Sequence, residues 1–367
     1  MIKVCIRADG GKNVGQGHIM RCLSLAQAFR RHGHKVHFFS KLDKGIKIIE
    51  SENFEVVRLT SYEQETEGYD YGSPDQLADE AREMIPLLEK YQIDVLIMDT
   101  YNINKDYFLT LKPYVGRTVY IDDINKFIYP VDIVVNGNIT GEYLGYEKYD
   151  HGQILLLGPQ YNMIRNEFGN LPCRFVRSKV DEIMITTGGA DPFNLTGSLL
   201  VNLLMEEEFR DIRFNVLVGS SFANCESLDD LSNKYNNVFL YANTDLPYQF
   251  SNITYSNISS IMLRSDLAIS AGGSTLYELA ACGTPALAVI LADNQEGIVC
   301  KMDELGYVMN LGWYNQLKKD LVLHKLDELR YDFQLRREMS SRGQRLVDGK
   351  GTERIVGSII QSLDNDY

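Results

Sequence analysis

Residues 2–29, IKVCIRADGGKNVGQGHIMRCLSLAQAF, hold a short apolar run that ends at Ile6. A loop with Gly10, Gly11, Gly15 and Gly17 follows, then an apolar-periodic segment built on Ile19, Cys22, Leu23, Leu25, Ala26 and Phe29. A strand, a glycine-rich turn and a helix in that order form the opening unit of an α/β sheet. In an open α/β domain the turn at the carboxyl end of the strand faces the ligand crevice. The turn delivers His18 to that place, where an imidazole titrates near neutral pH and can act as a base. The placement suggests an enzyme acting on a small polar ligand; the alternative is a histidine that only caps and packs its helix.

Working outward, β-branched runs near 2–7, 35–40, 54–58, 94–98, 117–121 and 131–135 alternate with helical patterns near 18–31, 75–91 and 104–113. This alternation is the mark of parallel α/β units. The polar, acidic stretch Ser61–Pro74 reads as a loop. A second series starts at Val180, with strands near 182–186, 213–218, 237–240, 266–270 and 285–290. Helices near 194–206, 224–234, 258–264, 274–282 and 294–305 lie between and after them. The segment LLLGPQYNMIRNEFGNLPCRFVRSK (155–179) reads as a linker, and the chain after Trp313 as helical. The expected architecture is α/β, two doubly wound Rossmann-like domains facing across a cleft. Residues 1–165 form the first domain, 176–345 the second, and 346–367 a helix returning to the first. Ligands then meet the carboxyl ends of both sheets.

The 367 residues are too many for one ordinary core and suit two. With 37 basic and 50 acidic residues the net charge is −13, which disfavours nucleic acid or an anionic membrane face as a partner. The most apolar stretch, Leu267–Leu291, contains Glu278 and several glycines and is no membrane span. The chain opens directly on a strand pattern, without a signal peptide, and its six cysteines show no paired short spacing. These features place it in a reducing cytoplasm.

Four stretches of the second half point to one kind of ligand. In ITTGGADPFNLT, Gly188 and Gly189 follow a strand and precede a helix that Asp191 can cap. Consecutive glycines let backbone N–H groups approach phosphate oxygens, although a tight turn alone reads equally well. In SNISSIMLRSDLAIS, Asn257 and Ile258 open a helix carrying Met262, and backbone groups there can read a base edge or simply pack. In SAGGSTLYELAACGTPALAVIL, a strand runs into Gly272 and Gly273, and Ser274 and Thr275 open a helix. Glu278 lies one turn in, on the face of Ser274. Hydroxyls and first-turn amides suit a diphosphate, and the carboxylate suits the hydroxyl pair of a ribose. Thr275 and Glu278 also fit a plain capping box. In LADNQEG, Asn294 and Gln295 offer amides to a sugar.

Other polar residues are weighed by position. Asp99 and Tyr101 follow the apolar run VLIM at a strand end and rank above Asp122 and Asp123, which equally terminate a strand. Asp9 or Asp99 can orient the second nitrogen of His18. HGHKVH, with His32, His34 and His37, reads as a solvated turn before a strand rather than a metal site. Asp364-Asn-Asp366 sits in the terminal tail, so no metal and no cofactor is expected.

The order GxGHxxRCLxLA, Asp99-Thr-Tyr101, IDD at Ile121–Asp123, LGPQYNMIRNEF, TTGGADP, AGGSTLYELAACGTP, ADNQ and DGKGTER, spread from Ile2 to about Ile360, resembles the nucleotide-sugar hydrolases of the pseudaminic-acid pathway. That family is similar in turn to the two-domain GT-B glycosyltransferases. The resemblance implies a UDP-sugar substrate, a diacetamido-trideoxy sugar released with inversion, UDP as second product, and no metal. His18 matches the histidine that positions or deprotonates the water, Gly188, Gly189, Gly273, Ser274 and Thr275 the diphosphate cradle, Glu278 the ribose ligand, Asn257 and Ile258 the uracil site, and Asn294 and Gln295 the sugar-facing pair. By position in the chain, Asp99 and Tyr101 are taken with His18 as catalytic, Asp9, Gly17 and Arg21 as substrate-binding, and Met262 as nucleotide-binding. The resemblance also implies that DGKGTER ties the last helix to the first domain, as in GT-B proteins, or helps neutralise phosphate. A glycosyltransferase with the same donor pocket and a silent nucleotide-sugar binding subunit are the competing readings. A dinucleotide oxidoreductase is poorly supported, because GQGHIM lacks the third glycine of that fingerprint.

Overall fold

The computed structural model describes residues 1–11, 16–60, 73–242, 246 and 248–364. Gly15, residues 61–72 of the expected loop and the last three residues, Asp366 included, lie outside them. The chain forms two compact units, Met1–Asn166 with Lys350–Tyr367, and Glu167–Gly349.

The first unit runs β1 (Lys3–Ala8), α1 (Gly17–Arg31), β2 (Lys35–Ser40), α2 (Asp43–Ser51), β3 (Glu55–Arg58), α3 (Pro74–Tyr91), β4 (Val95–Asp99), α4 (Lys105–Leu111), β5 (Arg117–Ile121), β6 (Ile133–Asn136) and β7 (Ile154–Leu157). All strand pairs are parallel, in the order β3-β2-β1-β4-β5-β6-β7. Strands in such a sheet are covered on both faces, so they read as nearly continuous apolar runs. Successive side chains nonetheless go to opposite faces. Val4 and Ile6 of β1 and Val95 and Ile97 of β4 share one core with α1. Cys5, Leu96 and Met98 share the other with Leu77, Met84 and Leu88 of α3 and Phe108 of α4.

The second unit runs β8 (Glu182–Thr186), α5 (Leu195–Leu204), β9 (Arg213–Leu217), α6 (Cys225–Lys234), β10 (Val238–Ala242), β11 (Ile253–Tyr255), α7 (Ile258–Arg264), β12 (Leu267–Ala271), α8 (Thr275–Cys282), β13 (Ala286–Ile290), α9 (Asp293–Glu304), β14 (Val308–Trp313), α10 (Lys319–Tyr331) and α11 (Phe333–Leu346). Its sheet is also parallel, in the order β11-β10-β9-β8-β12-β13-β14. Strand order reverses direction at β1/β4 in the first unit and at β8/β12 in the second. These are the topological switch points where open α/β sheets bind ligands.

Five elements depart from the sequence reading. β7 lies inside the stretch read as linker, and β11 and β14 are edge strands that the sequence pattern did not separate from their surroundings. A glycine at φ +80° (Gly312) interrupts the β14 pattern. Helix α2 carries Gly45 in its first turn, which lowers its propensity. Pro74, placed at the end of a loop, instead opens α3 behind a capping box between Ser73 and Gln76.

Helix α12 (Gly351–Asp364) closes the first unit. Ile355, Val356 and Ile359 are fully buried in the core built on α1. Glu353 also pairs with Arg31 at 2.6 Å and His32 at 2.7 Å. These pairs are half exposed and worth little, so apolar burial holds the helix. Ile359→Ala is expected to lower stability by about 2–5 kcal/mol in urea unfolding. A change within error would mean that α12 is not part of this core.

Candidate active site

At the switch point of the first unit, α1 presents His18, Arg21 and Cys22 at i, i+3 and i+4, hence on one face. That face meets Asp99 at the end of β4. His18 Nδ1 lies 2.5 Å from Asp99 Oδ1. Arg21 grips the same carboxylate through Nε and Nη2, each at 2.6 Å, and the Cys22 thiol donates to it at 3.3 Å. Arg21 Nη1 reaches on to Asp123 Oδ1 at 2.8 Å. The Tyr101 hydroxyl donates to Asp123 Oδ2 at 2.5 Å, and its ring stands edge-on to His18, centroids 4.8 Å apart. Asn138 Nδ2 completes the cluster, donating to Asp123 Oδ1 at 2.7 Å.

Asp99 is fully buried, which by itself raises a carboxyl pKa. Arg21 first, then His18, outweigh burial and hold it well below the usual carboxylate range. Asp123 is lowered in the same way: burial opposes, and Arg21 prevails. Burial, and after it the charge of Asp123, pushes the Tyr101 hydroxyl up, so it remains a donor. An ionised Asp99 accepts from Nδ1–H and thereby selects the tautomer with a lone pair on Nε2. Nε2 makes no hydrogen bond among the described residues.

Asp9 is not part of this cluster. Its buried carboxylate is taken by Arg7 Nη1 at 2.7 Å, Ser40 Oγ at 3.0 Å and the Lys41 amide at 2.7 Å. Of the two aspartates weighed as partner for His18, Asp99 makes the bond. Gly17 opens α1, and a Cβ there meets nothing within 4 Å. The Asp122/Asp123 ambiguity divides between the two residues. Asp122 turns into the fold, accepting from the Asn125 amide at 2.7 Å and from the Tyr146 hydroxyl, while Asp123 joins the cluster. Sequence reasoning underrated Asp123 and missed Asn138. Asp123 was signalled by its strand end and by the IDD motif, Asn138 only by a position just beyond a strand end.

In the second unit, the loops after β8 and β12 both carry glycines. Gly188 has φ +88°, a conformation that favours glycine. A Cβ on Gly188 or Gly189 meets nothing within 4 Å, and one on Gly273 only Gln295 Nε2 at 3.9 Å. Gly272 differs, since a Cβ there falls 2.4 Å from Val299 Cγ2. Asp191 caps α5, accepting from the amides of Leu195 at 2.8 Å and Thr196 at 2.9 Å. Ser274 is the N-cap of α8 and its side chain makes no capping bond, so the Thr275–Glu278 capping box is not formed. Glu278 is buried on that helix. Gln295 Oε1 accepts from the Leu291 amide at 3.0 Å, and Asn294 is exposed on α9. Asn257 is the exposed N-cap of α7 and Ile258 is buried behind it. Met262 is fully buried, and its carbonyl accepts from Thr284 Oγ1 at 2.8 Å and Arg174 Nη1 at 3.3 Å. Met262 is thus held by packing, with its carbonyl already bonded within the fold.

The two units have the Rossmann-like α/β fold seen in GT-B enzymes. Residues 183–350 match the family model described as the glycosyltransferase family 28 C-terminal domain. Crystalline MurG of Acinetobacter baumannii superposes with a TM-score of 0.68 at 14% identity, over 98% of this chain and 99% of that one. The uncharacterized protein MJ1062 of Methanocaldococcus jannaschii is 29% identical over 320 residues, 83% of this chain but 58% of that protein. The UDP-2,4-diacetamido-2,4,6-trideoxy-β-L-altropyranose hydrolase of Campylobacter jejuni is 24% identical over 307 residues, 83% of this chain and 98% of that one. No helix among the described residues is long and apolar enough to cross a membrane.

A second buried ion cluster underlies the carboxyl end of β1. Glu80 of α3 accepts from Arg7 Nε at 2.5 Å and the Tyr107 hydroxyl at 2.8 Å, and pairs with Lys41. Burial opposes its ionisation, but Arg7 and then Lys41 prevail and bring its pKa from 4.5 down to about 2. A depressed carboxyl contributes stability above its unfolded pKa and loses it as the pH falls through the folded value. Glu80→Gln is therefore expected to be less stable than the parent at pH 7, with the gap narrowing from pH 4.5 toward 2 in urea titrations. A gap independent of pH would refute the assignment.

Proposed function

We propose that this protein is a hydrolase that cleaves a UDP-linked diacetamido-trideoxy sugar at its anomeric C–O bond, freeing the sugar and UDP with inversion. The reading places it in nonulosonic (pseudaminic) acid synthesis in the cytoplasm. The observation that carries it is the His18–Asp99 pair at a switch point, with Nε2 left as the basic nitrogen. The likeness to the Campylobacter enzyme, which aligns over nearly its whole length, supports the same chemistry.

In this mechanism His18 Nε2 takes a proton from a water whose oxygen attacks the anomeric carbon. The bond from that carbon to the diphosphate oxygen breaks, and the electron pair leaves with UDP. Asp99 holds the ring and compensates the imidazolium that forms. A nucleoside diphosphate leaves readily, so the second unit's task is to stabilise its charge. Amides around Gly188, Gly189 and Gly273 and the start of α8, with Ser274 and Thr275, serve that role. Glu278 accepts the ribose hydroxyls, Asn257-Ile258 borders the uracil, and Asn294 and Gln295 face the sugar. Charge stabilisation and base catalysis suffice without a metal.

The match to a glycosyltransferase domain favours, as second reading, transfer of the sugar to an acceptor. One assay separates the two. UDP-linked diacetamido-trideoxy sugars are incubated with the protein alone and free UDP is followed. UDP release is expected without acceptor, reduced about 10²–10⁴-fold by His18→Ala with UDP affinity kept. Release only after an acceptor is added would establish the transferase, and binding without turnover a silent subunit. Glu278→Ala is expected to weaken UDP binding in calorimetry more than it slows the bound substrate. Unchanged affinity would remove Glu278 from the site.

A further inference from the structure

We propose that Arg21 and Asp123 form a charge clamp that sets the protonation of His18, acting as positioning residues through Asp99. The inference rests on the reading of His18 as base, and it starts from an imbalance in the cluster. Arg21 spends two N–H groups on Asp99 and a third on Asp123. Its Nη2 also lies 3.2 Å from His18 Nδ1, so the imidazole meets a guanidinium and a carboxylate at similar range. With Asp99 alone, the cation would cancel the anion and leave the imidazolium uncompensated. Asp123 restores one net negative charge.

The groups facing His18 are Asp99 from β4, Arg21 from its own helix, Tyr101 from the loop after β4, and Asp123 beyond β5. Tyr101 stays neutral, which leaves the balance to the other three. Asp123 is fixed from three directions, by Arg21, Tyr101 and Asn138. Asn138 is itself anchored, its amide donating to Asn136 Oδ1 at 2.9 Å, and Asn136 Nδ2 donates to the Tyr146 hydroxyl at 2.9 Å. A carboxylate held this firmly, with 15% of its side chain exposed, keeps its charge at a fixed distance from the ring.

The clamp predicts opposite effects from its two members. Asp123→Asn deletes a negative charge and disfavours the imidazolium, whereas Arg21→Gln deletes the positive charge and favours it. The imidazole of His18 is followed by ¹⁵N NMR as the pH is varied, its signal assigned by loss in His18→Ala. The midpoint is expected to fall by about one pH unit in Asp123→Asn and to rise by about one in Arg21→Gln. Asp123→Glu, which keeps the charge, is expected to return it toward the parent value, and circular dichroism checks that each variant is folded. The acid limb of the pH profile of UDP release is expected to move in the same directions. Midpoints that stay put, or that move the same way in both variants, would overturn the clamp and leave a structural role; variants that fail to fold would do so too, if Asp123→Glu also left the midpoint displaced. The titration needs no turnover. Opposite shifts in a protein that releases no UDP would uphold the clamp while the hydrolase reading falls.

Discussion

A carboxylate with no access to water must be matched by positive charge and donors or give up its ionisation. Asp99 is that group, and meeting its demand organises the first unit's site. It sits at the end of β4, the strand beside β1 where the sheet's order reverses. Its compensation comes from one helix face, His18, Arg21 and Cys22, which fixes the rotation of α1 about its axis and the distance of that helix from β4. A helix turned by one residue would bury Ile19 or Met20 against the carboxylate and leave the charge unmatched. The geometry of the polar cluster and the packing of α1 are thus one constraint seen from two sides.

A buried ion cluster is a poor way to add stability, since an apolar replacement of equal volume often does as well. Two such clusters lie near the carboxyl end of the same sheet, one around Asp99 and one around Glu80. Each joins elements far apart in the chain: β1, β2, α3 and α4 for Glu80, and α1, β4, β5 and β6 for Asp99 and Asp123. Fixed directions of the donors define where each strand end points, which a greasy contact does not. Gly45 has the same effect by crowding, because a Cβ there would fall 2.8 Å from the Gly10 amide nitrogen. That contact seats the start of α2 against the end of β1.

Much of the fold was legible because central parallel strands are buried on both faces and read as unbroken apolar runs, as VLIM does in β4. The missed strands are edges with a weaker signal: β7 (ILLL) runs straight into a stretch of turn formers and charge, β11 is three residues long, and Gly312 interrupts β14. In the site, His18, Asp99 and Tyr101 were legible from strand-end and glycine-loop position, and the structure brings them together. Asp122 and Asp123 have the same local reading, and only tertiary contacts decide which carboxylate joins the cluster. Asn138 follows a strand end in a turn where asparagine is common, so nothing local marked it. Asp9 and Met262, also read as ligand residues, are bonded and packed within the fold.

The glycines of the second unit separate by what requires them. Gly272 and Gly219 are demanded by packing, because a Cβ on either would lie within 2.5 Å of a neighbouring atom. Gly188 is demanded by its backbone, at φ +88°. Gly189 and Gly273 are demanded by neither: φ is not in the left-handed region, and a Cβ meets nothing at Gly189 and only an ordinary van der Waals contact with Gln295 at Gly273. The fold by itself would accept a Cβ at both. Each lies on a loop at the carboxyl end of one of the two strands flanking the switch point, and a missing Cβ there exposes main-chain amides to whatever approaches. In the proposed function that is the place of the diphosphate, whose oxygens have to come within hydrogen-bonding reach of main-chain amides.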